Sequence, residues 1–410
     1  MSAHAPGSPG SLHTSNQRRV LRAVRDGGRR TQADIARATG LAPSTVSNLV
    51  HELIREDVLA METEHAGRRG QLVGFSETAG LVVGIDVGHR HLTTALAGLD
   101  RTVVDRRRHE LPAGHDARAG LELARRDIDE MLTRTPVDRS GLLAAGLTLP
   151  APVGASGVIA TGSILPGWGE IDLARTGREV LGLPVVIEND ANAGAMSEHA
   201  LGTGAELVAT TESGRRRREA RVGPHDSMIY VKIGHGVGAG LILGGRLYRG
   251  ATGIAGEIGH ITIDDTGAIC RCGNRGCLET LVSSTASTAL LEASRGQALT
   301  IQELVRLALE GDAGCRRVIA DTGRVLGRPI ADLFNTLDPH LVVIGGEIAA
   351  AGELLMEPLR RTVDRYVVGG ASRDTRLVTS ALGREAHVLG AVLAALQHED
   401  LHLDETPHRT

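Results

Sequence analysis

From Leu81 onward the chain twice places an apolar run, a glycine-rich turn and a second apolar run in succession. Leu81–Ile85, Asp86-Val-Gly88 and Leu92–Leu96 form one set; Met228–Ile233, Gly234-His235-Gly236 and Gly238–Leu243 form the other. Short Val/Ile/Leu runs bounded by glycine read as buried strands. Further strands are expected at Ala145–Leu149, Val185–Glu188 and Leu341–Ile344, with helices at Leu121–Leu132, Ala191–Leu201 and Ile301–Glu310. Alternating strands and helices must cover both faces of a sheet, which predicts a layered α/β body. The repeated unit predicts two related lobes around a cleft. The 410 residues allow two to three domains at roughly 150 residues each.

The first eighty residues follow a different pattern. Residues 1–15 are rich in Ser, Pro and Gly and read as a disordered tail. Val20, Leu21, Ala23 and Val24 give a helical face over Asn16–Gly27. Thr31 caps a second helix with Asp34 three residues on, and Gly40 ends it. Pro43 starts a third, with Val46, Leu49, Val50 and Leu53 inward and Ser44, Thr45, Ser47, Asn48 and His51 outward. Val58–Phe75 reads as a hairpin with Arg68 and Arg69 at its tip. Helix, glycine turn, helix and basic hairpin together read as a winged helix-turn-helix. The polar start of the third helix would reach base edges, with Thr31 and Gln32 beside it and Arg68 and Arg69 on phosphate or the minor groove.

Charge agrees with that reading. The formal net charge of −4 argues on average against nucleic acid, but residues 1–51 carry seven Arg against Asp26 and Asp34, or +5. The remainder is therefore −9, a basic head on an acidic body, and double-stranded operator DNA is the expected partner. The bland alternative is a helical protein-interaction domain. Only six aromatic residues occur, which excludes recognition by base-stacking platforms. Lys232 is the sole lysine among 45 basic residues. No apolar run is long enough to span a bilayer and no secretory h-region opens the chain, so a cytoplasmic protein without a membrane partner is expected.

Three of the four cysteines fall in Cys270-x-Cys272-x4-Cys277, with nine residues between His260 and Cys270. In a chain without an export signal this spacing reads as a Cys3His zinc site rather than disulfides, and Gly273 and Gly276 let the loop turn round the metal. Four protein ligands leave no open position, so the zinc is expected to be structural. Buried free thiols with an unrelated histidine are the alternative. Cys315 stands alone in a helical stretch and reads as core.

The zinc loop, Gly256-Glu-Ile-Gly-His260, Glu188-Asn-Asp-Ala-Asn192 and the winged head together resemble the ROK family of repressors, open reading frames and kinases, over nearly the whole chain. The resemblance implies an N-terminal winged helix-turn-helix followed by two actin-like (ribonuclease H-like) α/β lobes with a sugar cleft. It places the head at 16–78, the first lobe at 79–200 with a closing helix at 384–398, the second lobe at 201–383 with its zinc loop at 260–279, and a tail at 399–410. It implies Asp190 as the kinase general base and Asn189, Asp190, Glu257, His260 and Glu279 as ligands of sugar hydroxyls. Carboxylates, amides and imidazole suit a ring of hydroxyls. Helix capping is the alternative role for Asn189-Asp190. His260 would bind zinc through one ring nitrogen and face the sugar with the other. Trp168, in the family's loop, is expected near the cleft, where its fluorescence would report sugar.

The family's kinases cradle phosphate with Asp-x-Gly-Gly-Thr and Gly-Thr-Gly turns. Here the first reads Asp86-Val-Gly88-His89-Arg90 and the second Gly234-His235-Gly236. A histidine side chain where glycine allows close approach crowds a phosphate, so ATP and Mg2+ are not expected as cofactors and Asp190 is at most a vestigial base. Arg90 leaves a phosphorylated sugar open as effector. The expected function is a sugar-responsive regulator, in the sense of a repressor, of carbohydrate uptake or catabolism, acting as a homodimer or homotetramer. An active sugar kinase with a fused DNA-binding head and a repressor controlled by a protein partner are the alternatives. Thr203–Asp226, with Arg215–Arg218, reads as a solvated insertion.

Overall fold

The computed structural model describes residues 9–62, 71–154, 165–169, 171–205, 227–368 and 375–398. Arg68, Arg69, Arg215–Arg218 and the tail 399–410 lie outside the described residues.

The head consists of α1 (Pro9–Gly27), α2 (Gln32–Thr39) and α3 (Pro43–Arg55), then the antiparallel pair β1 (Leu59–Glu62) and β2 (Leu72–Phe75). Helix α1 starts at Pro9, so the disordered tail expected over 1–15 is corrected for residues 9–15. Proline lacks only an N–H that a first helical turn leaves unpaired, and His13 Nε2 lies 3.0 Å from Glu52 of α3. The expected capping box of α2 forms between Thr31 and Asp34, and Gly40 closes the helix in the left-handed region at φ 65°. Val20, Ile35, Val46, Val50 and Val73 meet in a fully buried core.

Both body sheets have the same construction. In the first lobe, β3 (Leu81–Val87) pairs antiparallel with β4 (His91–Gly98), which pairs antiparallel with β5 (Val103–Glu110). On its other side β3 runs parallel to β6 (Leu142–Leu149), and β6 to β7 (Val185–Asn189). The order is β5-β4-β3-β6-β7, with α4 (Ala117–Leu132), α5 (Leu173–Leu181) and α6 (Asp190–Ala200) in the connections. In the second lobe β8 (Ser227–Ile233), β9 (Val237–Leu243), β10 (Arg246–Leu247), β11 (Leu341–Gly345) and β12 (Arg376–Thr379) take the order β10-β9-β8-β11-β12 with the same directions. Its longer helices are α7 (Ser284–Arg295), α8 (Ile301–Leu309), α9 (Ala313–Leu337) and α10 (Glu353–Tyr366). Cys315 is fully buried in α9.

The last helix, α11 (Ala386–Leu396), closes the first lobe by lying against β3 and β6. Two glycines permit this approach: a Cβ on Gly84 would stand 2.7 Å from the Val388 carbonyl oxygen, and one on Gly146 1.9 Å from that of Ala391. Arg25 of the head donates from Nη1 to the Leu396 carbonyl at 2.9 Å, and Asp26 pairs with Arg101. The C-terminal carbonyls of a helix carry partial negative charge and attract a cation.

Trp168 corrects one expectation. It is fully buried in the first lobe and lines neither cleft cavity. Its Nε1 lies 3.2 Å from His115 Nδ1, and His115 Nε2 lies 3.0 Å from the Gly88 carbonyl. Its link to the first phosphate-turn position therefore runs through a histidine.

Candidate ligand cleft and metal centre

Strand β7 ends where α6 begins, so Asn189 and Asp190 stand at a strand-to-helix junction. Asn189 is the N-cap: its Oδ1 accepts from the N–H groups of Ala191 and Asn192, and its Nδ2 donates to the Ala151 carbonyl at 3.0 Å. The capping role is thus present, while Asn189 also lines a cavity of about 220 Å³ with Asp190, Glu257, His260 and Glu279. The five positions implied by the resemblance, drawn from three separate segments, share this one cavity.

The Gly256–His260 turn owes its course to Gly256. Its φ is 95°, and a Cβ there would lie 1.8 Å from the Ala239 carbonyl oxygen, so only glycine lets the turn rest on β9. Glu257 then projects into the cavity. Burial, and after it the charges of Asp190 and Glu279, push its carboxyl up to about 7. Glu279, 7% exposed, accepts from the Val237 N–H at 3.1 Å and from Arg271 Nη2 at 2.7 Å.

Lys232 was missed as a site residue. It lies on β8 just before the second glycine turn, and its Nζ makes a close ion pair with Asp190 Oδ2. Both side chains are largely buried, so the carboxylate at the position of the family's kinase base faces a fixed countercharge. The sequence did carry a signal: this is the only lysine in an otherwise arginine-based set.

His260, Cys270, Cys272 and Cys277 gather their ligand atoms within 4.8 Å of one another. His260 Nδ1 is 3.6 Å from Cys270 Sγ, and Cys272 Sγ is 3.7 Å from Cys277 Sγ. Tetrahedral zinc with Zn–S bonds of about 2.3 Å separates two sulfurs by about 3.8 Å, so the donor set fits such an ion. Burial and the adjoining Cys272 and Cys270 push the Cys277 thiol up to about 12. Three crowded thiols resist ionising together unless a cation shares the site. Gly276, at φ 63°, supplies the loop's tight reversal; a Cβ would overlap the Asp264 carbonyl. With Nδ1 turned to the sulfurs, His260 Nε2 faces Glu257 Oε2 at 3.8 Å.

Beyond Asp190 the cleft widens into a second cavity of about 580 Å³, lined by Asp86, Gly88, His89, Arg90, Gly234 and His235 among others. Gly236 instead lines the smaller cavity. The turn at His89 comes from the first lobe and that at His235 from the second, and their rings meet with centroids 4.3 Å apart and planes tilted by 36°. His89 has no left-handed backbone, so a histidine sits there without that strain. Burial, then His89 and Lys232, hold His235 down at about 4, leaving a neutral ring near pH 7. Asp86 is buried; burial opposes its charge, yet His91 Nε2 at 2.9 Å and Thr148 Oγ1 at 2.9 Å hold its carboxyl below the usual range.

In the head, Ser44 and Asn48 are exposed on α3, and Thr45 and Ser47 are half-buried. Ala42 occupies the N-cap of α3 and offers no side-chain acceptor to the first-turn N–H groups. Gln32 opens α2, half-buried, whereas the Thr31 hydroxyl is engaged by Asp34 at 2.6 Å. No described helix is long and apolar enough to cross a membrane.

Comparison with known proteins follows the same division. A model of the ROK family matches residues 82–211 and 218–398, and one of the MarR family matches residues 14–70. The xylose repressor of Bacillus subtilis (strain 168) is 30% identical over 389 residues, 93% of this chain and 95% of that protein. The glucokinase of Halalkalibacterium halodurans is 29% identical over 335 residues, 78% of this chain and 96% of that enzyme. The crystal structure of a ROK family transcriptional regulator, a homologue of the E. coli MLC protein, superposes with a TM-score of 0.74 at 26% identity, covering 93% of this chain and 96% of that one.

Proposed function

The chain belongs to the ROK family, and from that premise we propose that it is a sugar-responsive transcriptional repressor without sugar-kinase activity. One observation carries the reading: five hydroxyl-binding side chains share one cavity, while the neighbouring turns hold His89, Arg90 and His235 and Lys232 neutralises Asp190. A base must be free to reach the hydroxyl proton, whereas the Asp190 carboxylate is held in an ion pair with Lys232. The full-length likeness to a xylose repressor, against the shorter likeness to a glucokinase, supports the same conclusion.

His260, Cys270, Cys272 and Cys277 would hold a structural zinc ion. When bound, the metal supplies a cross-link that fixes the His260 ring and its tautomer. Asn189 then keeps the start of α6 in place, and Glu257, His260 and Glu279 bind and orient the sugar. In the head (16–78), Ser44, Thr45, Ser47, Asn48 and Gln32 read base edges. The uncapped first turn of α3 accepts a backbone phosphate, and Arg68 and Arg69 serve as the wing's cations. Thr31 acts by capping α2 instead of by touching DNA. The active form is a homodimer or homotetramer, since half-sites at fixed helical spacing make operator affinity sensitive to the angle between two heads. Sugar then alters operator affinity by its differential affinity for the two cleft angles.

Two measurements test this. Gel-shift titration against operator DNA with a panel of pentoses and hexoses is expected to show one sugar changing affinity; no response to any of them refutes sugar sensing. ADP release from ATP, Mg2+ and the same panel is expected to stay at background; release that disappears in Asp190→Asn refutes the loss of kinase activity.

A further inference from the structure

We propose that Arg249 is a positioning residue for the ligand: it ties the two lobes together at the buried carboxylate of Glu188 and so sets the distance between the two halves of the hydroxyl-binding cavity. This role rests on the sugar reading and adds to it a side chain that lines neither cavity. The five cavity side chains are divided between the lobes. Asn189 and Asp190 stand at the junction of β7 and α6, whereas Glu257, His260 and Glu279 belong to the second lobe. A ring of hydroxyls that bridges both sets needs them at one spacing, and fixing that spacing beforehand lowers the ordering cost of binding.

Glu188 lies on β7 directly before Asn189, and its side chain is 4% exposed. Its Oε1 accepts from the Asn189 N–H at 3.0 Å and from Asn192 Nδ2 at 2.9 Å, so it steadies the strand-to-helix junction that carries Asp190. Its Oε2 accepts from Arg249 Nε at 3.1 Å and from Nη2 at 2.6 Å. Arg249 follows β10 in the second lobe, so this ion pair crosses from one sheet to the other. The Arg249 carbonyl accepts from the Ala255 N–H at 3.1 Å, which closes a loop leading straight into Gly256-Glu257. The Gly256 carbonyl in turn accepts from the Ala239 N–H at 2.7 Å and fastens that turn to β9. One guanidinium thus connects the segment bearing Asn189 and Asp190 to the segment bearing Glu257 and His260.

The pair also sits where a ligand does not compete for it. Lys232 meets Asp190 inside the cavity, whereas Arg249 reaches Glu188 from outside it and is itself exposed. Among the described residues Arg249 is the only ion-pair partner of Glu188. Removing the guanidinium leaves a buried carboxylate unmatched and releases the β9–β10 hairpin from the first lobe. A lysine would return the charge, but as a single point in place of two donors held in one plane.

Calorimetric titration of the full chain with the panel of pentoses and hexoses tests this role, with urea unfolding of each variant beside it. Arg249→Ala is expected to weaken the tightest-binding sugar about tenfold or more, and Arg249→Lys to recover part of that loss. The double variant Arg249→Ala/Glu188→Gln separates positioning from charge balance. Taking the charge off position 188 should return the urea midpoint toward that of the wild type, while sugar affinity stays low because the lobes are still untied. Full sugar affinity in Arg249→Ala, or its return in the double variant, overturns the inference. If no sugar binds the wild type, the sugar reading fails and hydrogen exchange decides the tie by itself. Arg249→Ala is then expected to speed amide exchange in both 189–192 and 256–260, and unchanged protection in either segment overturns the tie.

Discussion

Replacing Cys272 by alanine tests whether the metal shapes the ligand cavity. Cys272 is exposed, unlike Cys270 and Cys277, so the truncation opens no hole in the core. The loop also keeps hydrogen bonds that need no metal: Cys270 N–H to the Asn274 carbonyl at 2.7 Å, Gly276 N–H to Ala268 at 2.8 Å, and Ile263 N–H to Gly276 at 2.8 Å. The second lobe should therefore remain folded. What is lost is the clamp on His260, and with it the placement of Glu279, which Arg271 of the same loop holds at 2.7 Å. Losing the alignment of one to two charge-assisted hydrogen bonds, at about 1.5–3 kcal/mol each, predicts a fall in sugar affinity of roughly ten- to a hundredfold or more. Metal content by mass spectrometry and sugar affinity by titration are the paired measurements. The wild type should carry one zinc per chain and the variant none. Full sugar affinity in a zinc-free variant would sink the idea that the metal sets the cavity; a wild type that takes up no zinc would sink the metal site itself.

Lys232→Met leaves the Asp190 carboxylate without its countercharge, which after allowance for water in the cleft should cost about 1–3 kcal/mol by urea unfolding. Asp190→Asn in the same chain should recover most of that, and additive losses would show the pair to be uncoupled. Asp86, whose folded-state carboxyl titrates below its unfolded value of about 3.9, contributes stability that is present above that pH and lost as pH falls. Unfolding midpoints of wild type and Asp86→Asn should therefore differ at neutral pH and converge below about pH 4; a constant gap contradicts the assignment. Arg25→Ala removes a charged donor from the end of α11, a loss of about 1–2 kcal/mol of head docking. It should expose the junction to limited proteolysis with operator affinity retained, and an unaltered cleavage rate would argue against the contact.

Local signals located most of the frame. The buried strands announced themselves as glycine-bounded apolar runs, and Thr31 and Gly40 marked their helix by capping chemistry. Strand β5 escaped because it is an edge strand carrying Asp105-Arg-Arg-Arg108, with alternate residues exposed, and charge on an edge hides the period of two. The start of α9 was legible as the helical stretch around Cys315, but its full length was obscured by Pro329 and α10 by Pro358, since proline inside a helix removes a hydrogen bond and normally reads as a break. Helix α7 begins Ser284-Thr-Ala-Ser-Thr288, too polar to show an apolar stripe. In the cleft, spacing located the clustered Cys and His side chains because they are close in sequence. The pairing of Lys232 with Asp190, 42 positions apart, exists only once β8 and α6 are packed.

The shared strand order of the two sheets has a geometric consequence for the facing histidines. His89 sits in the hairpin between β3 and β4, and His235 in the hairpin between β8 and β9, so they occupy equivalent positions in the two halves of the body. Any rotation that opens the cleft must part them, because each moves with its own sheet. Their separation is thus a caliper for the angle between the lobes. A cysteine at each position would pin that angle chemically, and a pair of spin labels would read it in solution.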